Sequence, residues 1–152
     1  MEMLDDAVKR ELRKLPFQIR IIDDVSSQRY LASILNEQFT WRGSKIDWFT
    51  SIGHQTCEIN FDNQAYEQIE HFINDSQVAE VVLNNSEIYY MNDSALNFSI
   101  CINGKDMLPF IKWIVETIPL HHYFFDLTGH WCLAITMEGY VDFGFSAFMF
   151  HS

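Results

Sequence analysis

The apolar residues of this chain follow two different spacings, one typical of helices and one typical of strands. Apolar positions that recur every three or four residues predict four helices. These helices span about residues 3–14, from Ser26 or Ser27 to Phe39, from Asp62 or Asn63 to Asn74, and from Met107 to Ile118. Serine, aspartate and asparagine are good N-cap residues, and Pro16 and Pro119 end the first and last helices because proline cannot continue a helix.

Strands are predicted where apolar residues alternate with polar ones or form short runs. The predicted strands are residues 17–21, 57–61, 78–83, 88–91, 96–102, 123–127, 131–137 and 140–145. The last three are joined by Thr128-Gly129-His130 and by Glu138-Gly139, which are connections of the length that antiparallel hairpins use. Residues 40–54 contain three aromatic residues and two glycines without a clean period, and predict an irregular loop with some short strand character.

This order of elements predicts the α+β class rather than a regular βαβ alternation. We expect a single domain over residues 1–152, with a mostly antiparallel sheet of about five to seven strands. About four helices pack against that sheet, on one face. The chain of 152 residues is 48% hydrophobic and contains 13 phenylalanines, so it can build a substantial core.

Charge and composition narrow the functional classes. The chain has 10 Lys and Arg residues against 21 Asp and Glu residues and a formal net charge of −11, which disfavours direct binding to nucleic acid. It has no apolar run of the ~18–20 residues that span a bilayer and no signal-peptide pattern, so we expect a soluble, cytoplasmic protein that does not bind membranes. Cys57, Cys101 and Cys132 are expected to be reduced and mostly buried thiols.

The acidic residues are concentrated in one part of the chain. Residues 46–103 contain nine acidic residues and no Lys or Arg. Such an excess of one sign is typical of a surface that attracts a cationic partner, although it also serves solubility or, less commonly, metal binding. The predicted partner-binding residues are Asp47, Glu58, Asp62, Glu67 and Glu70, with Trp41 and Trp48 as aromatic anchors. A core role for the two tryptophans is the alternative.

Catalytic and metal-binding patterns are weak. His54 and Cys57 are three residues apart, and His121, His122 and His130 lie near one another in sequence, but these spacings do not define a nucleophilic pair or a zinc site. Glu67 and Glu70 are more typical of a solvated helix face than of a carboxylate metal site. The common nucleotide-binding and hydrolase motifs are absent from the sequence, so we expect a non-enzymatic protein without a cofactor or metal.

The segment from Trp131 to Phe145 reads W-x-L-x-x-T-x-E-G-x-x-D-F-G over its first 14 positions. Such a hairpin on a small acidic α+β domain resembles the immunity proteins of bacterial polymorphic-toxin and contact-dependent growth inhibition systems. The resemblance implies an inhibitor that binds a cognate toxin domain, often a basic nuclease, and occludes its active site. It carries over no catalytic residues.

Two other functions stay open from the sequence. One is a small enzyme that uses His121, His130 or Cys57. The other is an interaction module with a housekeeping partner. If binding does not depend on the acidic stretch, the next candidates are Asp126, Glu138 and Asp142, or the loop that contains Trp41 and Phe49.

Overall fold

The computed structural model describes residues 4–60, 64–92, 96–118 and 121–150. Within these ranges the helices are α1 (Leu4–Leu12), α2 (Val25–Gln38), α3 (Ala65–Ile73), α4 (Ser76–Val82) and α5 (Met107–Thr117). The strands are β1 (Ile19–Ile22), β2 (Trp41–Arg42), β3 (Lys45–Ile46), β4 (Ile52–Glu58), β5 (Ile88–Asn92), β6 (Ser99–Ile102), β7 (His122–Phe125), β8 (Trp131–Thr136) and β9 (Tyr140–Phe145). The structure confirms the α+β prediction.

Seven strands form one antiparallel sheet in the order β1-β6-β5-β7-β8-β9-β4. The short strands β2 and β3 form a separate hairpin. The predicted meander and closing hairpins are confirmed, because β5 pairs with β6, β7 with β8, and β8 with β9. In the described part of the chain, β1 and β4 are therefore the two edges of the sheet.

The larger core lies on the sheet face that α1, α3, α4 and α5 cover. Helix α5 presents Met107, Phe110, Ile111 and Ile114, all completely buried, at the spacing of one helix face. The ring of Phe110 meets the ring of Phe124 on β7 edge to face at 6.2 Å. Each such side chain contributes about 1.5–3 kcal/mol through burial, so this layer dominates the stability of the fold.

The second face of the sheet is also covered, which corrects the expectation that the helices lie on one face. Helix α2 and the β2–β3 hairpin pack there, with Leu31 and Leu35 in the same cluster as Phe125 and Ala134. Strands β7 and β8 are buried at every position. Because consecutive side chains of a strand point to opposite faces, a strand without exposed positions needs cover on both.

Three local predictions were wrong. Residues 78–83 lie in helix α4 rather than in a strand, because the Asp75 carboxylate caps the helix by accepting from the Gln77 N–H and Val78 and Val82 are buried one turn apart. Helix α2 begins after Asp24, whose side chain accepts from the Ser27 N–H, and not after Ser26 or Ser27.

The third correction concerns the strand predicted at residues 57–61. The strand of the structure begins at Ile52, inside the predicted loop, and ends at Glu58. The short strand character predicted for residues 40–54 is present as the β2–β3 hairpin, which a 3₁₀ turn at Trp48–Thr50 follows. The predicted cap at Asp62 or Asn63 lies outside the described residues.

The three cysteines are free and lie in strands, with Cys101 and Cys132 buried and Cys57 half-buried. None of the helices in the described ranges has the length and apolar character needed to cross a membrane.

Candidate protein-binding surface

A bulge near the start of β4 shapes one side of the candidate surface. The pairing register between β4 and β9 shifts between Ile52 and Gln55, and Gly53 has a φ of +66° at this shift. A glycine in the left-handed region is typical of bulges in antiparallel pairs, because it bends the strand without a Cβ clash. His54 follows the bulge, and its Nε2 lies 2.7 Å from Oδ1 of Asp142 on β9.

The aromatic residues of the 41–49 region differ in exposure. Trp48 stacks on His54 with ring centroids 5.2 Å apart and an angle of 6° between the rings. Trp41 meets the Tyr123 ring at 5.4 Å, and its indole N–H donates to the Leu35 carbonyl at 3.2 Å. Both tryptophans are half-buried. Phe49, which follows Trp48 in the sequence and precedes β4, is 96% exposed. The aromatic side chain that is free to contact a partner is therefore Phe49.

A cleft of about 360 Å³ separates the β2–β3 hairpin from the sheet. Two ion pairs lie at this cleft, one within the hairpin region and one between the hairpin and the β8–β9 turn. Arg42 Nη2 lies 3.4 Å from the Asp47 carboxylate, and Lys45 Nζ lies 3.2 Å from the Glu138 carboxylate. Partial burial by itself raises the pKa of Glu138, but hydrogen bonds from its own backbone N–H and from Lys45 hold that pKa below its usual value. The Asp47 carboxylate also accepts a hydrogen bond from the Phe49 N–H, so it stabilises the start of the 3₁₀ turn.

The elements beside this cleft have a different charge pattern. Strand β4 and helices α3 and α4 contain no Lys or Arg. Their carboxylates, together with the α4 cap, form no ion pair with a described Lys or Arg within 4 Å. These residues, the acidic rim, are Glu58, Glu67, Glu70, Asp75 and Glu80.

Of the predicted acidic residues, the structure places Glu58, Glu67 and Glu70 around one edge of the sheet but not in one cluster. Glu58 is the cross-strand partner of Tyr140, whose side chain lines the hairpin cleft, so Glu58 points to the hairpin face. Helix α3 packs on the opposite face. There Glu67 is exposed, and Glu70 lies beside the Tyr66 hydroxyl, where burial and the Glu70 carboxylate raise the pKa of Tyr66. Asp62 lies outside the described residues.

The histidines and cysteines do not form a catalytic pair or a metal site in the described part of the chain. Cys57 packs against the larger core, whereas His54 contacts Trp48 and Asp142 on the hairpin face, so the two side chains lie on opposite faces of β4. Burial raises the pKa of the Cys132 thiol, which keeps it protonated and unreactive. Among residues 4–60, 64–92, 96–118 and 121–150, no three His, Cys, Asp or Glu side chains converge on a metal position.

Two features of the surface involve residues that the sequence offered only as alternatives, Phe49 in the Trp41–Phe49 loop and Asp142. Phe49 is the most exposed of the large hydrophobic side chains in the described part of the chain, and its place in the 3₁₀ turn accounts for this. The link between His54 and Asp142 joins residues 88 positions apart. The Gly53-His54 pair within an otherwise strand-like segment is the one local signal that indicates a bulge at this point.

Comparison with known proteins does not assign a family. No family model matches the sequence, and no curated protein is significantly similar to it.

Proposed function

We propose that this protein is an immunity-type inhibitor, which binds a basic toxin domain and neutralises it without chemistry of its own. The observation that carries the proposal is the acidic rim, whose carboxylates around β4 and on α3 and α4 have no Lys or Arg partner among the described residues. The resemblance of the Trp131–Phe145 hairpin to immunity proteins supports the same function.

Unpaired carboxylates on one side of a protein favour association with a cationic surface. They repel each other in the free protein, and a partner's Lys and Arg side chains relieve that repulsion. Because the chain carries a net charge of −11, its field also accelerates the encounter with a basic protein. A nuclease active site is rich in cations that bind phosphate, and its occlusion by the acidic rim would stop the reaction.

Phe49 is the candidate source of the binding free energy that exposed carboxylates contribute only weakly. Charged pairs at the rim of an interface mainly affect specificity and association rate, while aromatic side chains that enter a partner's pocket contribute ~2 kcal/mol or more each. Phe49 is 96% exposed and lies in the turn that leads into β4, one residue from the half-buried Trp48. Carboxylates at the end of β4 and on α3 and α4, together with an exposed aromatic side chain before the start of β4, make a suitable surface for a tight protein inhibitor.

The test uses the polypeptide encoded immediately upstream as the candidate toxin. We expect that its C-terminal domain stops bacterial growth when expressed alone and that this protein restores growth and copurifies with the domain. A double variant, Glu67→Lys with Glu70→Lys, should bind more slowly, and added salt should reduce the advantage of the wild type.

The matched control is Asp6→Lys with Glu37→Lys, which changes the net charge equally on α1 and α2, outside the acidic rim. It should protect cells nearly as well as the wild type, because its substitutions lie away from the proposed interface. If the wild-type protein does not bind or neutralise the domain, the proposed function is wrong. If the two double variants bind the domain equally well, the acidic rim is not the interface.

A further inference from the structure

We infer that the free edge of β4 receives an extended basic segment of the partner, which joins the sheet as an additional strand. This inference rests on the proposed function and specifies how the toxin is held. In the described part of the chain, β4 pairs with β9 on one side and with no strand on the other.

The backbone of β4 has hydrogen-bonding groups that point away from β9. The Ile59 N–H donates to the Gly139 carbonyl at 2.7 Å, and the register places Cys57 opposite Val141 two residues earlier. Hydrogen-bonded and non-hydrogen-bonded pairs alternate in an antiparallel ladder. The N–H and C=O groups of Thr56 and Glu58 therefore point outward, where an incoming strand can pair with them.

The edge lacks the usual protection against such pairing. Exposed edge strands are commonly blocked by lysine, by proline or by cover from another element. Strand β4 contains neither lysine nor proline over seven residues, and Thr56 and Glu58 are exposed. Its bulge at Gly53 bends only the beginning of the strand, so the segment from Gln55 to Glu58 continues regularly.

Both faces of the sheet offer room for the side chains of an added strand. On the helix face, a groove of about 610 Å³ lies beside β4 and is lined by residues of β4, α3 and the α3–α4 connection. These residues are Gln55, Thr56, Cys57, His71, Phe72, Asn74 and Asp75. On the hairpin face, Glu58 and Tyr140 are exposed. An added strand would alternate its side chains between these two surfaces, which is how strand addition obtains specificity.

The charge of the edge determines what kind of segment fits it. Glu58 lies on the hairpin face and Asp75 in the groove on the helix face, and neither has a described Lys or Arg within 4 Å. A strand with lysine or arginine on both faces therefore complements the edge. A second copy of this chain fits poorly, because its own β4 would bring another acidic rim to a protein with a net charge of −11.

The probe is a short synthetic peptide that repeats Lys-Lys-Val-Val, which places lysine on both faces of an extended strand, measured against a matched peptide that repeats Glu-Glu-Val-Val. We expect the lysine peptide to bind the intact protein and the glutamate peptide not to bind. Hydrogen exchange should then show slower exchange of the Thr56 and Glu58 amides in the complex. Sedimentation should show a monomer in the absence of peptide.

The decisive variant is Thr56→Pro, which removes one outward N–H and leaves the bonds to β9 in place. It should weaken peptide binding about tenfold, whereas Thr56→Val, which keeps the N–H, should bind like the wild type. If Thr56→Pro does not fold, the exchange of the wild-type amides decides the question. Absence of peptide binding, unchanged exchange at Thr56 and Glu58, or a dimer formed through β4 would overturn the inference.

The same exchange measurement on the toxin complex separates the two proposals. Neutralisation of the toxin without protection of the Thr56 and Glu58 amides rejects strand addition and keeps the inhibitor function. Peptide binding at β4 without any neutralisation rejects the toxin as partner and keeps strand addition.

Discussion

The hydroxyl of Tyr90 on β5 is hydrogen-bonded to Nδ1 of His122 on β7, with 2.7 Å between the two atoms. Both side chains are buried, and the Asn92 amide donates to the same hydroxyl at 3.1 Å. Burial lowers the pKa of His122 to about 4, so the imidazole is neutral at physiological pH. The pair is a polar connection within the larger core, and burial makes protonation of His122 unfavourable in the folded protein.

Acidification should therefore destabilise the fold through His122. Its pKa is about 4 in the folded protein and 6.5 in the unfolded chain, so the unfolded state binds the proton more readily. The contribution of His122 is complete above pH 6.5 and falls by about 3 kcal/mol as the pH is lowered to 4. Urea titrations across this range should show a smaller loss of stability in His122→Gln. The control variant His130→Gln, which replaces an exposed histidine, should behave like the wild type. The prediction would be contradicted if the free energy of unfolding depended on pH in the same way in all three proteins.

Gly139 should tolerate no branched side chain. It has a φ of +95°, and a Cβ at this position would lie 2.8 Å from the Ile59 carbonyl oxygen. Gly139→Val should thus lower the free energy of unfolding by a few kcal/mol, because both the backbone and the contact with Ile59 are strained. Gly43→Ala is the control, since Gly43 also has positive φ but a Cβ added there would meet no atom within 4 Å, and it should cost only ~1 kcal/mol. Equal melting of the two variants would show that the Ile59 contact is unimportant.

Asp126 should act in folding rather than in partner binding. Its Oδ2 accepts from the Trp131 indole N–H and from the Asn85 amide, each at 2.9 Å. Asp126→Ala leaves the buried indole N–H without its acceptor and should cost about 1–3 kcal/mol. Asp126→Asn keeps one acceptor oxygen and should cost less. Thermal melts of the two variants measure the difference, and a wild-type melt for Asp126→Ala would be the contrary result.

Phe49 should affect binding without affecting stability. Because its side chain is 96% exposed, Phe49→Ala should change the free energy of unfolding by less than about 0.5 kcal/mol. The same variant should weaken toxin binding by about 2 kcal/mol in calorimetry. Tyr30→Ala, which removes an exposed aromatic side chain from α2, is the control and should bind normally. Normal binding of Phe49→Ala would remove this residue from the interface.

Local sequence was sufficient for the elements whose pattern is regular. The alternation over Trp131–Thr136 and Tyr140–Phe145, with Gly139 between them, predicted the closing hairpin, and the spacing of Met107, Phe110 and Ile114 predicted α5. The local pattern gave the wrong secondary structure for residues 78–83, because a short apolar run fits a strand and a buried helix equally well. In that segment the decision came from the Asp75 cap and from the core that Val78 and Val82 enter.

The sequence by itself determined that this protein is an acidic α+β domain whose residues 46–103 contain no Lys or Arg. Only the tertiary structure decided which of its carboxylates have a basic side chain beside them. Lys45 reaches Glu138 and His54 reaches Asp142 across long separations in sequence, whereas Glu58 and Glu67 have no such partner among the described residues. The physical reason is that charge composition is a property of the chain, but electrostatic pairing depends on distances of a few ångströms that folding alone sets.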